Sequence, residues 1–160
     1  MQTVYLETTI PSYLASRPSR DLVTAGHQEA TREWWDSRRE SFELFISPFV
    51  LDEMNQGDVL QVTKRNDLVA GMRILTIDEA VVELAMEILS TGLIPLKAAT
   101  DASHIACATR HGMDFLLTWN CKHIANAEML RIIEKVIRKN GYVMPYVCTP
   151  DELMGGQEYE

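Results

Sequence analysis

A three-layer α/β/α domain around a five-stranded parallel sheet is the fold the sequence predicts, on three observations. Short β-prone runs alternate with stretches of helical periodicity along the chain. Phe115-Leu116-Leu117 is an uninterrupted apolar run, the mark of a strand buried on both faces. Ser, Asp or Asn stands at the head of several helical stretches, and Gly follows several of their ends. Strands separated by helices are most simply accommodated in an open parallel sheet with helices on both faces.

The elements follow in order. Thr3-Val4-Tyr5-Leu6 is a first strand, halted by Glu7-Thr8-Thr9, and Pro11 opens a helix. Ala25 to Arg39 is a polar helix carrying Trp34 and Trp35, whose side chains point about 100° apart, so that one is core and the other half-covered or at an interface. Phe42 to Ile46 is a second strand, and Ser47-Pro48 reads as an N-cap and first helical position for a helix reaching about Gln56, ended by Gly57. Asp58 to about Ala70 forms another short helix. Met72 to Thr76 is a third strand, and Asp78 caps a helix with Val81, Leu84, Ala85 and Ile88 on one face. A helix from about Lys97 to His111 ends at Gly112, ahead of the fourth strand at Phe115. Asn126 caps a helix to Lys139, Gly141 closes it, and Tyr142 to Val147 is the fifth strand. Residues 1–148 make one domain, and 149–160 a polar tail expected to be loosely held.

The chain has 160 residues, enough for one well-cored domain, with 46% hydrophobic and 24% charged residues, the profile of a globular protein. Fifteen basic against 23 acidic residues give a net charge of −8, which excludes a protein that coats nucleic acid through basic contacts. It leaves open an enzyme that grips nucleic acid through metal ions. No run approaches the roughly 18 apolar residues of a membrane span, and Met1 to Leu6 lacks the features of a signal peptide. Cys107, Cys121 and Cys148 form no C-x-x-C pair, so a reducing cytoplasm is the expected location.

In parallel α/β sheets, ligands bind beyond the carboxyl ends of the strands. There the chain places Glu7, Thr8 and Thr9 after the first strand, Ser47 and then Glu53 after the second, and Thr118, Trp119 and Asn120 after the fourth. Taken singly, each has an ordinary explanation as a strand-ending charge, a cap, a surface helix residue or a turn former. Asp101 is harder to explain so. It shares a helix face with Ile105 and Ala108, and a carboxylate there needs a cation, a donor or a wet cleft. Glu7, Glu53, Asp101 and the amide of Asn120 are hard oxygen ligands that suit Mg²⁺ or Mn²⁺ better than Zn²⁺.

These residues carry a resemblance. Leu6-Glu7-Thr8-Thr9-Ile10, Ser47-Pro48 leading to Glu53, Thr100-Asp101-Ala102-Ser103-His104 and Leu117-Thr118-Trp119-Asn120 stand in the order and spacing of the motifs of PIN-domain proteins. Within that group the chain resembles the VapC-type toxins of toxin–antitoxin pairs, over Thr3 to about Val147. The resemblance implies a Mg²⁺- or Mn²⁺-dependent ribonuclease, with Glu7, Glu53 and Asp101 holding metal. It also implies Asn120 in a fourth, more variable catalytic place, and Thr118 positioning a water or a phosphate oxygen. An RNA substrate, a cognate antitoxin protein and a homodimer are implied with it, and no membrane. Two positions depart from the family pattern: Glu7 stands where Asp is usual, longer by one methylene or about 1 Å, and Asn120 replaces an acid.

Metal held by such carboxylates would hydrolyse a phosphodiester through an activated water oriented by Asp101 or Glu7, leaving a 5′-phosphate. Three other readings compete. His104, Cys107, His111, Cys121 and His123 could form a zinc site, though without the usual paired spacing. A haloacid-dehalogenase-like phosphatase would need an Asp nucleophile with a second acid two residues on, where Thr9 stands. A degenerate PIN domain, serving as an RNA- or protein-binding module, would account for Glu7 and Asn120. Among scattered cations, Lys97 and Lys122 lie near rim segments.

Overall fold

A computed structural model describes residues 1–156. Its strands are β1 (Thr3–Leu6), β2 (Glu43–Ile46), β3 (Arg73–Ile74), β4 (Phe115–Leu117) and β5 (Tyr146–Cys148). Its α-helices are α1 (Thr9–Ala15), α2 (Leu22–Arg38), α3 (Pro48–Met54), α4 (Val59–Val69), α5 (Glu79–Leu89), α6 (Ala99–Arg110) and α7 (Ala127–Lys139). The strands form one sheet in the order β3-β2-β1-β4-β5, every pair parallel. The chain moves outward from β1 to β3, then returns across the sheet to β4 and β5. Right-handed crossovers therefore put the helices of the two halves on opposite faces. Helix α1 packs on α2 and α4, and α5 on α6 and α7, completing the three layers.

The helix starts are local chemistry. Asp21, Asp58, Asp78 and Asn126 each accept a hydrogen bond from a backbone N–H three residues on. Gly57 and Gly112 take φ of 96° and 66° where the helices before them stop. Ser47 differs from expectation. It occupies the N-cap position of α3, but its side chain makes no cap bond and turns instead to the Tyr5 hydroxyl.

Two strands are shorter than expected by more than one residue. β3 is an edge strand paired only with β2, and both its residues are exposed. β5 starts at Tyr146 rather than Tyr142, because Pro145 has no N–H for a ladder. Helix α2 begins three residues earlier than expected, at Leu22, under the Asp21 cap, and α3 stops at Met54.

The central strands supply the core. Val4, Tyr5, Leu6, Ile46, Leu116 and Leu117 are buried with Trp34 and Ile105 from the flanking helices. Trp35 is half-covered, with the Arg39 guanidinium 5.1 Å from its ring centroid. After β5, Pro150–Leu153 makes a 3-10 turn capped by Thr149, with Pro150 and Leu153 buried. The loosely held tail expected from Thr149 is thus packed over this turn, and residues 157–160 lie outside the described residues. Among the described residues no helix is long and apolar enough to cross a membrane.

Candidate active site

The strand order reverses at β1, between its neighbours β2 and β4, which is where a parallel sheet opens a crevice at its carboxyl rim. Glu7 leaves β1 there, its N–H still bonded to the Leu117 carbonyl of β4. It is 3% exposed. Its Oε2 accepts from the Thr9 N–H (2.9 Å), the Thr9 hydroxyl (2.6 Å) and the Thr118 hydroxyl (2.9 Å). Its Oε1 has no bond from the described residues. Burial pushes the Glu7 carboxyl above its ordinary range, against the opposing pull of the His104 charge and of the Thr9 and Thr118 bonds.

Glu53 reaches the rim from α3. Its Oε1 accepts from the Thr8 hydroxyl (2.7 Å) and from His104 Nε2 (2.5 Å). Burial works to raise its carboxyl, but the His104 bond and charge, with Thr8, outweigh that and hold it below the usual range. Asp101 lies in the first turn of α6, one turn before His104. The partner its apolar face demands is His123, whose Nδ1 donates to Oδ2 at 2.9 Å.

Thr118 and Asn120 follow β4. The Thr118 hydroxyl is committed to Glu7 and accepts the Asn120 N–H at 2.9 Å. The Asn120 carbonyl oxygen accepts the His123 N–H at 3.0 Å, an Asx-type turn that places His123 against Asp101. All five residues picked from the sequence therefore belong to one network. It runs Glu7–Thr118–Asn120–His123–Asp101, along α6 to His104, and on through Glu53 to Thr8, the neighbour of Glu7.

The donor set fits a hard cation. Glu7, Glu53 and Asp101 each have one oxygen anchored by protein donors and one left free by the described residues. A buried, uncompensated carboxylate such as Glu7 gains most from a positive ion. Even so, among the described residues no three His, Cys, Asp or Glu side chains already stand close enough to enclose a metal. The same finding counts against the zinc reading, and both ring nitrogens of His104 are already taken, by Tyr5 and Glu53. Burial, with the Asp78 charge, pushes the Cys107 thiol up to about 12, Ser47 opposing. Surface cavities of ≈380 Å³ beside β5 and ≈450 Å³ between α1 and α4 share no residue with the network.

The sequence did not single out His104 and His123 as partners of carboxylates. One signal was available: Tyr5 lies in an apolar strand run, and a buried Tyr hydroxyl needs a polar partner.

No curated protein sequence matches the chain. A solved structure of VapBC2 from Rickettsia felis, bound to a DNA fragment from their promoter, has a chain similar to this one at a TM-score of 0.61. The likeness covers 92% of this chain and 98% of that one at 14% identity, and it speaks for the fold. The PIN domain model matches residues 5–128, which include Glu7, Glu53, Asp101, Thr118 and Asn120. The chain belongs to the PIN domain family.

Proposed function

We propose that this chain is a Mg²⁺- or Mn²⁺-dependent endoribonuclease of the VapC type. The observation that carries this reading is the set of three carboxylates, each anchored through one oxygen with the other free. Glu7, Glu53 and Asp101 would hold the ion. A divalent ion bound there supplies polarisation of the phosphodiester and a lowered pKa for water. The chain's own groups do the rest. Thr9 and Thr118 keep Glu7 aimed, Thr8 and His104 do so for Glu53, and Asn120 sets the turn from which His123 orients Asp101. Asp101 or Glu7 orients the attacking water. No 2′-hydroxyl nucleophile is needed, so the products carry 5′-phosphates.

The likeness to the VapBC2 complex supports an antitoxin protein as partner. A homodimer and a cytoplasmic location belong to the same reading. The test is incubation of the purified chain with a mixed RNA pool and Mn²⁺. Cleavage to 5′-phosphate ends, abolished by chelator and by Asp101→Asn, is the expected result. Products with 2′,3′-cyclic phosphates would refute the mechanism. The second reading, a binding module, is favoured by the absence among the described residues of a ready group of three ligands. RNA retention without cleavage in either metal would establish it.

A further inference from the structure

Of the three carboxylates, Glu53 is the most exposed, at 35% of its side chain, and it stands on a seven-residue helix. A long side chain so placed has rotamer freedom to lose before it can serve as a ligand. What removes that freedom begins in the core. Ser47, Tyr5 and His104 are each 0% exposed. Ser47 Oγ lies 2.7 Å from the Tyr5 hydroxyl, which lies 2.6 Å from His104 Nδ1, and His104 Nε2 reaches Glu53.

A carboxylate can only accept, so His104 donates from Nε2. The Tyr5 hydroxyl bridges Nδ1 and the Ser47 hydroxyl, so the ring is held at both of its nitrogens. The ring is also packed: the Phe49 ring meets it edge-on with centroids 6.2 Å apart, and Tyr5 lies 5.8 Å away at 59°. Burying three polar side chains costs stability that an apolar trio would spare. The chain's outward end is a single carboxylate oxygen.

We propose that His104, fixed by Tyr5 and Ser47, is a positioning residue for Glu53: together with Thr8 it ties up Oε1, so that Oε2 is the oxygen presented to the metal. This rests on the reading of Glu53 as a metal ligand. The same arrangement explains why Ser47 leaves the start of α3 uncapped: its hydroxyl anchors the far end of the chain.

The test separates positioning from mere packing through two variants that lose the same buried ring. In His104→Gln the amide reaches as far as Nε2 and can still donate to Glu53, whereas in His104→Asn it reaches only the Nδ1 position. A structural role moves both variants together. Positioning splits them, and calorimetric Mn²⁺ titration of the full chain is the readout. His104→Asn should bind about 10- to 100-fold more weakly than wild type, the range for loss of a partner that orients a metal ligand, while His104→Gln keeps most of the affinity. Tyr5→Phe removes one oxygen and leaves the ring. It carries the test if either His104 variant does not fold, and it should weaken Mn²⁺ binding severalfold. Wild-type binding with unsplit His104 variants, or with Tyr5→Phe unchanged, overturns the role of His104 alone. No binding by folded wild type overturns the metal reading, and the role falls with it.

Discussion

Replacing Glu7 by Gln should make the protein more stable at neutral pH while removing a proposed metal ligand. The exchange preserves shape, and the amide oxygen can accept all three bonds that Oε2 now takes from Thr9 and Thr118. What changes is the charge. Burial raises the Glu7 carboxyl, so the folded protein holds its proton more tightly than the unfolded chain does. That contribution is fully present below the unfolded value of about 4.3 and is lost as pH rises through the folded value. At pH 7 the ionised Glu7 therefore weighs against folding. Each unit of elevation is worth about 1.4 kcal/mol, and each kcal/mol moves the midpoint of a chain this size by about 2–4 °C. Thermal unfolding in chelator at pH 7 should show Glu7→Gln above wild type, the gap closing toward about pH 4. Mn²⁺ should reverse the order, since ligand at a hundredfold its Kd stabilises the binding form by about 2.7 kcal/mol. A Glu7→Gln protein no more stable than metal-free wild type at pH 7 would refute the view of Glu7 as a strained, cation-seeking carboxylate.

Thr118→Val keeps the shape but deprives Glu7 of a donor and leaves the Asn120 N–H without its acceptor, so thermal unfolding should show a loss of about 2–4 kcal/mol. In a Glu7→Gln background the loss should be smaller, because the bond no longer serves a charge. Leu116→Ala, in a fully buried residue of the strand beside β1, should cost about 2–5 kcal/mol in urea titration. Asn126→Ala removes the cap that holds the Met129 N–H and should cost about 1 kcal/mol by the same measurement, with activity unchanged.

Much of this architecture was legible one residue at a time. The apolar run at Phe115, the caps at Asp78 and Asn126, and the stops at Gly57 and Gly112 are local signals, and local physics decides them. The rim residues were legible because a parallel sheet gathers whatever follows its strands. What escaped is non-local. His104 meets Glu53 across 51 positions and His123 meets Asp101 across 22, and neither spacing is a pattern on any helix or strand. Ser47 shows the limit most plainly: Ser-Pro at a helix start satisfies the capping rule, yet a buried Tyr5 hydroxyl across the sheet claims the side chain. Strand ends were blurred for a related reason. β3 ends where its single neighbour stops supplying partners, and no residue of Met72 to Thr76 encodes that point.

The most direct test of the site is Mn²⁺ titration of the wild-type chain by calorimetry beside Asp101→Asn. Asp101 is 16% exposed and bonded to His123 through one oxygen, so the variant should keep the fold and lose only the charge of a proposed ligand. Binding by wild type, with affinity lowered at least tenfold in Asp101→Asn, is the expected result. Equal binding by both proteins, or none by either, would contradict a metal centre at this rim.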